Sequence, residues 1–203
     1  MKKRISSLLL ICLVFSCVTS CNDSKKSVKF NKENFKEHYI DAIKGTLLLP
    51  PKYELITKEN LPYLISKMDS ISFLNRLIHN LEADRRDYVL YTDSNNLNDI
   101  ILIHKSEFVS FSKRDANQYL GLLEANMKHI YGAVNFERQQ EKISQTERSK
   151  YIKIKYKILD HGLVLYQTQY IVTSAAVTFG VIEMRKDVTD NEDLIKRINY
   201  LVN

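Results

Sequence analysis

Three consecutive β-prone segments near the C-terminal end of the chain place the strongest constraint on its fold. The segments span residues 151–158, 163–173 and 177–184, and Asp160-His161-Gly162 between the first two has the chemistry of a hairpin turn. Strands that are joined by short turns pair antiparallel. The chain is therefore expected to build an antiparallel β-sheet around this meander.

The first of these segments alternates between two kinds of side chain. Because side chains two residues apart share a face of a strand, one face is apolar (Ile152, Ile154, Tyr156, Ile158) and the other is basic (Lys153, Lys155, Lys157). We interpret the lysines as a solvent-facing sheet surface or a protected strand edge. Nucleic acid is not an expected partner, because the aromatic side chains do not interleave with the lysines as stacking platforms do.

The rest of the chain alternates short strands with amphipathic helices. β-Prone residues predict strands over 46–49, 53–57, 88–91 and 100–103. Apolar residues at helical spacing predict helices over 35–43, from Asn60 onward, over 72–81 and after Asp190. The clearest helix begins at Ser112, with Asp115 as its capping partner, and ends at Gly132. This order predicts an α+β fold in which an antiparallel β-sheet is covered by helices on its faces.

The order of elements resembles the PsbP-like superfamily, which includes the Mog and DcrB-like proteins. The matching parts are Leu47-Leu48-Leu49-Pro50-Pro51-Lys52-Tyr53, the meander over 151–184 with Thr178-Phe179, and the closing helix. The family often has Gly-Trp after the prolines, whereas this chain has Lys52-Tyr53. The resemblance implies an α/β/α sandwich, and it implies no catalytic residues, because the family has no shared set.

The N-terminal segment has the parts of a secretory signal. Lys2, Lys3 and Arg4 precede an apolar run over residues 5–18, which is shorter than the ~20 residues that a membrane-spanning helix needs. Residues 22–34 are mostly polar. We therefore expect a signal peptide over residues 1–20 that is removed, a lipidated polar tether over 21–34, and a single α+β domain over 35–203.

The quartet Val18-Thr19-Ser20-Cys21 resembles the lipobox of bacterial lipoproteins. The resemblance implies that Cys21 is acylated after cleavage and anchors the protein in the cell envelope; we expect the outer membrane, with the side of that membrane left open. Two alternatives are an ordinary signal peptide in which Cys21 is incidental, and modification at Cys17, where Phe15 is bulkier than the motif prefers. If Cys21 is acylated, the mature protein has no free thiol, because no cysteine follows Cys21, and disulfides and thiol catalysis are then excluded.

The net charge of +6 comes mostly from the N-terminal region. Without Lys2, Lys3 and Arg4, 27 basic residues face 24 acidic ones, and from Asn34 onward 23 face 22. The globular part is therefore nearly neutral, and its charge does not indicate a polyanionic ligand.

Three groups of residues are candidate sites, each with a plainer alternative. Tyr166 and Tyr170 share one strand face, which is either a binding surface or core packing. Arg85-Arg86, flanked by Asp84 and Asp87, either clamps an anionic ligand or is a solvated loop. A helix over 35–43 would bring His38 and Asp41 to one face, but two ligands do not make a metal site.

No nucleophile–base motif, phosphate loop or metal-ligand spacing occurs in the sequence. We therefore predict no catalytic, cofactor-binding or metal-binding residues. The predicted function is that of a membrane-anchored envelope lipoprotein of non-catalytic, binding or assembly type, which acts through contacts with a partner protein or a small ligand. The alternative is an envelope enzyme, hydrolase-like, with an unrecognised active site.

Overall fold

The computed structural model describes residues 32–67, 71–83, 85–107, 112–131, 135–146, 149–160, 162–174 and 177–200. The predicted signal peptide and the predicted lipidation site Cys21 lie outside these residues, as do Asp84, Gly132 and His161.

Seven strands form the main sheet. They are β3 (Tyr53–Ile56), β4 (Tyr88–Asp93), β5 (Asn96–Ser106), β6 (Phe136–Gln145), β7 (Ser149–Asp160), β8 (Leu163–Ser174) and β9 (Thr178–Arg185). Their order in the sheet is β3-β4-β5-β9-β8-β7-β6, and all neighbours are antiparallel. The predicted meander is confirmed as β7, β8 and β9.

A smaller sheet has three antiparallel strands in the order β1-β2-β10. These strands are β1 (Lys36–Ile40), β2 (Gly45–Leu49) and β10 (Asn199–Tyr200). The α-helices are α1 (Leu61–Lys67), α2 (Ile71–Ala83), α3 (Lys113–Tyr131) and α4 (Glu192–Ile195). Short 3-10 helices span Lys32–Asn34 and Asp41–Ile43.

The alternation in β7 decides which face of the main sheet the longer helices cover. Ile152, Ile154 and Ile158 are fully buried on the face where α2 and α3 pack. Helical residues at core spacing meet them there: Leu74, Ile78 and Leu81 from α2, and Ala116, Leu120 and Met127 from α3. One apolar core therefore lies between the two helices and the sheet.

The predicted start of α3 is confirmed in detail. Ser112 Oγ donates to Asp115 Oδ2 at 2.8 Å, and the backbone N–H of Ser112 donates to the same oxygen at 2.8 Å. The backbone N–H of Asp115 points back to Ser112 Oγ at 3.3 Å. This reciprocal pairing is a capping box, with Asp in the place of the more usual Glu.

The second face of the main sheet is covered differently from the prediction. The fold is α+β with an antiparallel sheet, as expected, but here the small sheet and the single-turn helix α4 form the covering layer. The ring of His38 in β1 packs edge-on against Tyr91 in β4, with 4.9 Å between ring centroids. Ile40, Leu47 and Leu49 are fully buried in the small sheet.

One local prediction is wrong, and two further elements differ from what the sequence indicated. The segment 35–43, predicted as a helix from the spacing of Phe35, Tyr39 and Ile43, forms β1 and a 3-10 turn, because it pairs with β2. Strand β6 was not predicted; it is polar, and a register shift between Arg138 and Gln140 breaks its alternation. The closing helix is a single turn that is followed by β10.

Candidate functional site: a cavity between two helices and the sheet

A cavity of about 420 Å³ lies between α2, α3 and strands β5, β8 and β9. Its size falls within the range of small-molecule pockets. Most of its wall is apolar and comes from the core face of each element. The apolar residues include Leu77, Leu81, Leu123, Met127, Ile171 and Ile182.

His104 in β5 is a half-buried polar residue of this wall. It is paired across the sheet with Gly180 in β9, and its ring lies directly over the glycine backbone. A Cβ added to Gly180 would lie 2.2 Å from His104 Nε2, which no side chain tolerates without displacement. Glycine at this position therefore makes the space that the imidazole occupies.

The surroundings of His104 keep its imidazole neutral at pH 7. Burial lowers its pKa below the ordinary value of 6.5, and the positive charge of Arg86 lowers it further, although a hydrogen bond with a backbone carbonyl opposes both. That bond joins His104 Nδ1 and Lys105 O at 3.2 Å. Since a carbonyl oxygen only accepts, the ring proton lies on Nδ1 and Nε2 is an acceptor.

Arg86 reaches the cavity because of the way in which α2 ends. The backbone N–H of Arg86 donates to Leu81 O at 2.8 Å, and that of Arg85 donates to Glu82 O at 3.0 Å. Arg85 is left-handed, with φ at 52°. This is a Schellman motif, which turns the chain back towards the sheet directly after the helix. Arg86 then lines the cavity, whereas Arg85 does not.

Other polar groups surround the same opening. Asn80 and Asn126 are exposed residues on α2 and α3, His129 is exposed near the end of α3, and Ser106 ends β5. No Asp or Glu occurs among the described residues that line the cavity. The site thus combines apolar walls with polar and basic groups, which suits an amphipathic ligand.

The candidate residues that the sequence indicated do not come together in one site. Arg86 lines the cavity, and Arg85 is the left-handed residue of the Schellman motif that ends α2. Tyr170 is buried and Tyr166 is half-buried; both side chains lie on the opposite face of the sheet, although Tyr170 also borders the cavity. His38 packs on Tyr91, and Asp41 pairs with Lys44 at 2.6 Å, so His38 and Asp41 do not form a joint site.

The interpretation of the lysine stripe as solvent-facing is wrong for two of its three members. Lys153 and Lys155 are only 2% and 6% exposed, because β7 is an inner strand and the segment 190–192 crosses over it. Lys153 Nζ lies 2.6 Å from Glu192 Oε2 and 2.9 Å from Asp190 Oδ2, and Lys155 pairs with Asp190. Lys157 is exposed, as expected.

Glu192 is the centre of this ion cluster, which we define as Lys142, Lys153, Lys155, Lys196, Asp190 and Glu192. Lys142 Nζ and Tyr151 Oη each donate to Glu192 Oε1 at 2.7 Å, and Lys196 Nζ lies 3.0 Å from the same atom. Burial raises the pKa of Glu192, but these donors outweigh burial and hold the pKa well below its ordinary value. The cluster fastens α4 to the sheet.

The sequence alone did not reveal the cavity. One signal was available: Gly180 is an isolated glycine within a strand, which indicates that another group approaches the backbone closely. The sequence gives no local sign that His104, directly after the predicted strand over 100–103, is half-buried. Its partner Gly180 lies 76 positions away in the sequence, so only the strand pairing brings them together.

The described residues contain neither a metal-binding cluster nor a helix suited to crossing a membrane. No group of three or more His, Cys, Asp or Glu side chains among them is arranged to hold a metal ion. In that same part of the chain, no helix is long and apolar enough to cross a membrane.

Comparison with known proteins gives structural likeness only. No protein-family model matches the sequence, and no curated protein matches it. Cyanobacterial PsbP (CyanoP) from Synechocystis sp. PCC 6803 is 13% identical, covers 83% of this chain and 86% of its own, and has a TM-score of 0.48. The Ran-binding protein Mog1p of Saccharomyces cerevisiae is 17% identical, with coverages of 79% and 80% and a TM-score of 0.43.

Proposed function

We propose that the protein is a non-catalytic binding module that is attached to the bacterial cell envelope through acylated Cys21 and holds a small amphipathic ligand in the cavity. The observation that carries the binding role is the cavity itself: about 420 Å³ of space with apolar walls and polar groups at its opening. A closed apolar core would be filled by side chains at close-packed density.

The structure of the walls supports a ligand with an apolar body. Leu123 is half-buried in the wall, and Leu122 beside it is 63% exposed although it also lines the cavity. A ligand that covers this exposed apolar surface removes it from water, which contributes favourably to the free energy of binding. The polar groups then fix the orientation of the ligand.

The membrane attachment rests on the sequence. The lipobox-like quartet ends at Cys21, and the ten residues 22–31 that follow it precede the described part of the chain. Two or three acyl chains on one residue anchor a protein stably, whereas one chain holds only marginally. Acylation at Cys21 would therefore keep the binding module at the membrane surface, where amphipathic molecules are concentrated.

N-phenyl-1-naphthylamine, an uncharged apolar dye that fluoresces when it leaves water, tests the binding role. We expect saturable binding to the protein. Leu123→Trp, which fills the cavity, should weaken binding about tenfold or more. Ala125→Trp is the matched control, because Ala125 is exposed on the same helix and does not line the cavity. Equal binding by both variants, or no saturable binding, would contradict the proposal.

Metabolic labelling with an alkyne fatty acid tests the anchor separately. The full-length protein should incorporate the label and fractionate with membranes, and Cys21→Ala should do neither. Cys17→Ala is the control that retains both properties. A labelled, membrane-bound Cys21→Ala product would show that the anchor is elsewhere.

A further inference from the structure

We propose that the ligand of the cavity ends in a hydroxyl group and that this group donates a hydrogen bond to Nε2 of His104. The inference rests on the proposed binding function and specifies its ligand class: an uncharged apolar molecule with one alcohol end. It depends on two polar side chains that the sheet places on the floor of the cavity, His104 and Gln169.

The pairing of three strands brings these two side chains to the same part of the floor. Gly180 in β9 pairs with His104 in β5 on one side and with Ile171 in β8 on the other. Gln169 pairs with Ile182, the next residue on this face of β9. Because Gly180 has no side chain, no group of its own stands between the imidazole and β8. His104 and Gln169 thus line the cavity from either side of β9.

His104 offers the cavity a hydrogen-bond acceptor. Its Nδ1 donates to Lys105 O at 3.2 Å, so Nε2 carries a lone pair. The position that a Cβ on Gly180 would take lies 2.2 Å from Nε2, 2.6 Å from Cε1 and 3.0 Å from Cδ2, which is beside the flat face of the ring and not in line with the lone pair. No hydrogen bond to Nε2 occurs among the described residues. Nε2 can therefore accept a hydrogen bond from a ligand.

Gln169 supplies a complementary donor. Its side chain is buried, and its Nε2 donates to Met127 Sδ at 3.4 Å. A thioether sulfur is a weak acceptor, so a ligand oxygen in its place would form the stronger hydrogen bond. A hydroxyl group donates through its hydrogen and accepts through its oxygen, so one group can pair with both His104 and Gln169. A carboxylate has only acceptors and would meet the lone pair of the imidazole without a proton to share.

Two competitors of the same size separate the hydroxyl proton from the rest of the ligand. 1-Octanol and 1-methoxyheptane are isomers, but only the alcohol donates a hydrogen bond. Each is titrated at pH 7 against N-phenyl-1-naphthylamine bound to the full chain, and we expect octanol to compete about tenfold better. His104→Phe keeps a ring over Gly180 but has no acceptor, so it should remove this preference.

His79→Phe is the matched control, because His79 is exposed on α2 and does not line the cavity. It should keep the preference for octanol, and thermal melting should show that both variants fold. Nitrogen NMR of histidine-labelled wild-type protein is a second measurement that needs no variant. The signal of His104 Nε2 should shift when octanol is added and should stay in place with the ether.

The inference is overturned if the two competitors are equal in the wild type, if octanol does not displace the bound dye, or if His104→Phe keeps the preference. An Nε2 signal that responds equally to octanol and to the ether would also overturn it. If the dye itself does not bind, or binds Leu123→Trp as well as Ala125→Trp, the proposed function fails, and the hydroxyl inference fails with it.

Discussion

At the scale of single residues, Glu183 is a carboxyl group that is buried in the sheet without a salt-bridge partner among the described contacts. It is completely buried in β9, where Tyr170 Oη donates to its Oε2 at 3.3 Å and the backbone N–H of Asn191 donates at 3.2 Å. Its Oε1 has no hydrogen-bond partner among the described residues. Burial raises the pKa of Glu183 to about 7 from the ordinary 4.5, with the bonds from Asn191 acting against it.

This pKa makes Glu183 a source of pH-dependent stability. A carboxyl whose pKa is raised by folding binds its proton more tightly in the folded state, so its contribution is complete below pH 4.5 and is lost as the pH rises through 7. Between pH 4.5 and pH 7 and above, the free energy of unfolding falls by about 3 kcal/mol through this group. We expect Glu183→Gln to be more stable than the wild type at about pH 8 by up to this amount.

Urea unfolding at several pH values measures the effect as the difference between the two proteins. The advantage of Glu183→Gln should shrink steadily as the pH falls towards about 5. Taking the difference cancels the titration of the other groups. A constant difference across this range would mean that folding does not raise the pKa of Glu183, and a variant that is less stable at pH 8 would contradict the expected advantage.

Alternation in the sequence predicts which side chains share a face of the sheet, but not which of the two faces is exposed to solvent. The two faces of β7 were correctly separated, and yet Lys153 and Lys155 are buried. Their acidic partners, Glu192 and Asp190, lie 39 and 35 residues further along the chain. No local pattern reports such a pairing, because it depends on the path of the chain after β9.

At the scale of secondary-structure elements, the conformation of Arg85 at the end of α2 lowers the stability of the folded protein. Arg85 adopts φ of 52°, a left-handed conformation that a residue with a Cβ takes up unfavourably. Glycine is the usual residue at this position of a Schellman motif. We expect Arg85→Gly to stabilise the protein by about 0.5–1 kcal/mol in thermal or urea unfolding. Arg85→Ala retains the Cβ and should give no gain; a Gly variant that is no more stable than the Ala variant would contradict this account.

The ion cluster determines how firmly α4 is held on the sheet. Glu192 is surrounded by three lysines, of which Lys153 has a side chain only 3% exposed. Glu192→Gln would remove the carboxylate that these lysines share, and the buried Lys153 has little solvent to replace it, so we expect the variant to lose about 3 kcal/mol of stability in urea unfolding.

A double variant separates the ion pair from the shape of the site. Lys153→Met combined with Glu192→Gln removes both members of the most buried pair, so the double variant should recover part of the loss. Purely additive costs would mean that the pair is not energetically coupled. Lys157→Met on the exposed end of the same face is the control and should change little.

The elements that the sequence predicted well are those whose pattern is strong and local. Ser112 and Asp115 marked the start of α3, and the alternation of 151–158 marked β7. Strand β1 was mistaken for a helix because the buried residue Ile40 and the half-buried His38 become apparent only when β2 pairs with it. Strand β6 was missed because it is an edge strand with polar residues and a bulge, which protects it from pairing with another chain.

At the scale of the whole molecule, the two faces of the main sheet differ in chemistry. The face under α2 and α3 is apolar and contains the cavity. The opposite face is rich in charges and is covered by the small sheet and α4 through the ion cluster. The proposed binding function belongs to the first face alone, while the second provides stability.

This division leads to a direct test by amide NMR during a titration with N-phenyl-1-naphthylamine. We expect saturable shifts at residues of the cavity wall on all three sides, such as Leu81, His104 and Leu123. The amides of Lys153 and Glu192 on the opposite face should stay unchanged. Shifts that concentrate around the ion cluster, or a spectrum that does not change with added dye, would contradict the central claim that the cavity between the helices and the sheet is a ligand-binding site.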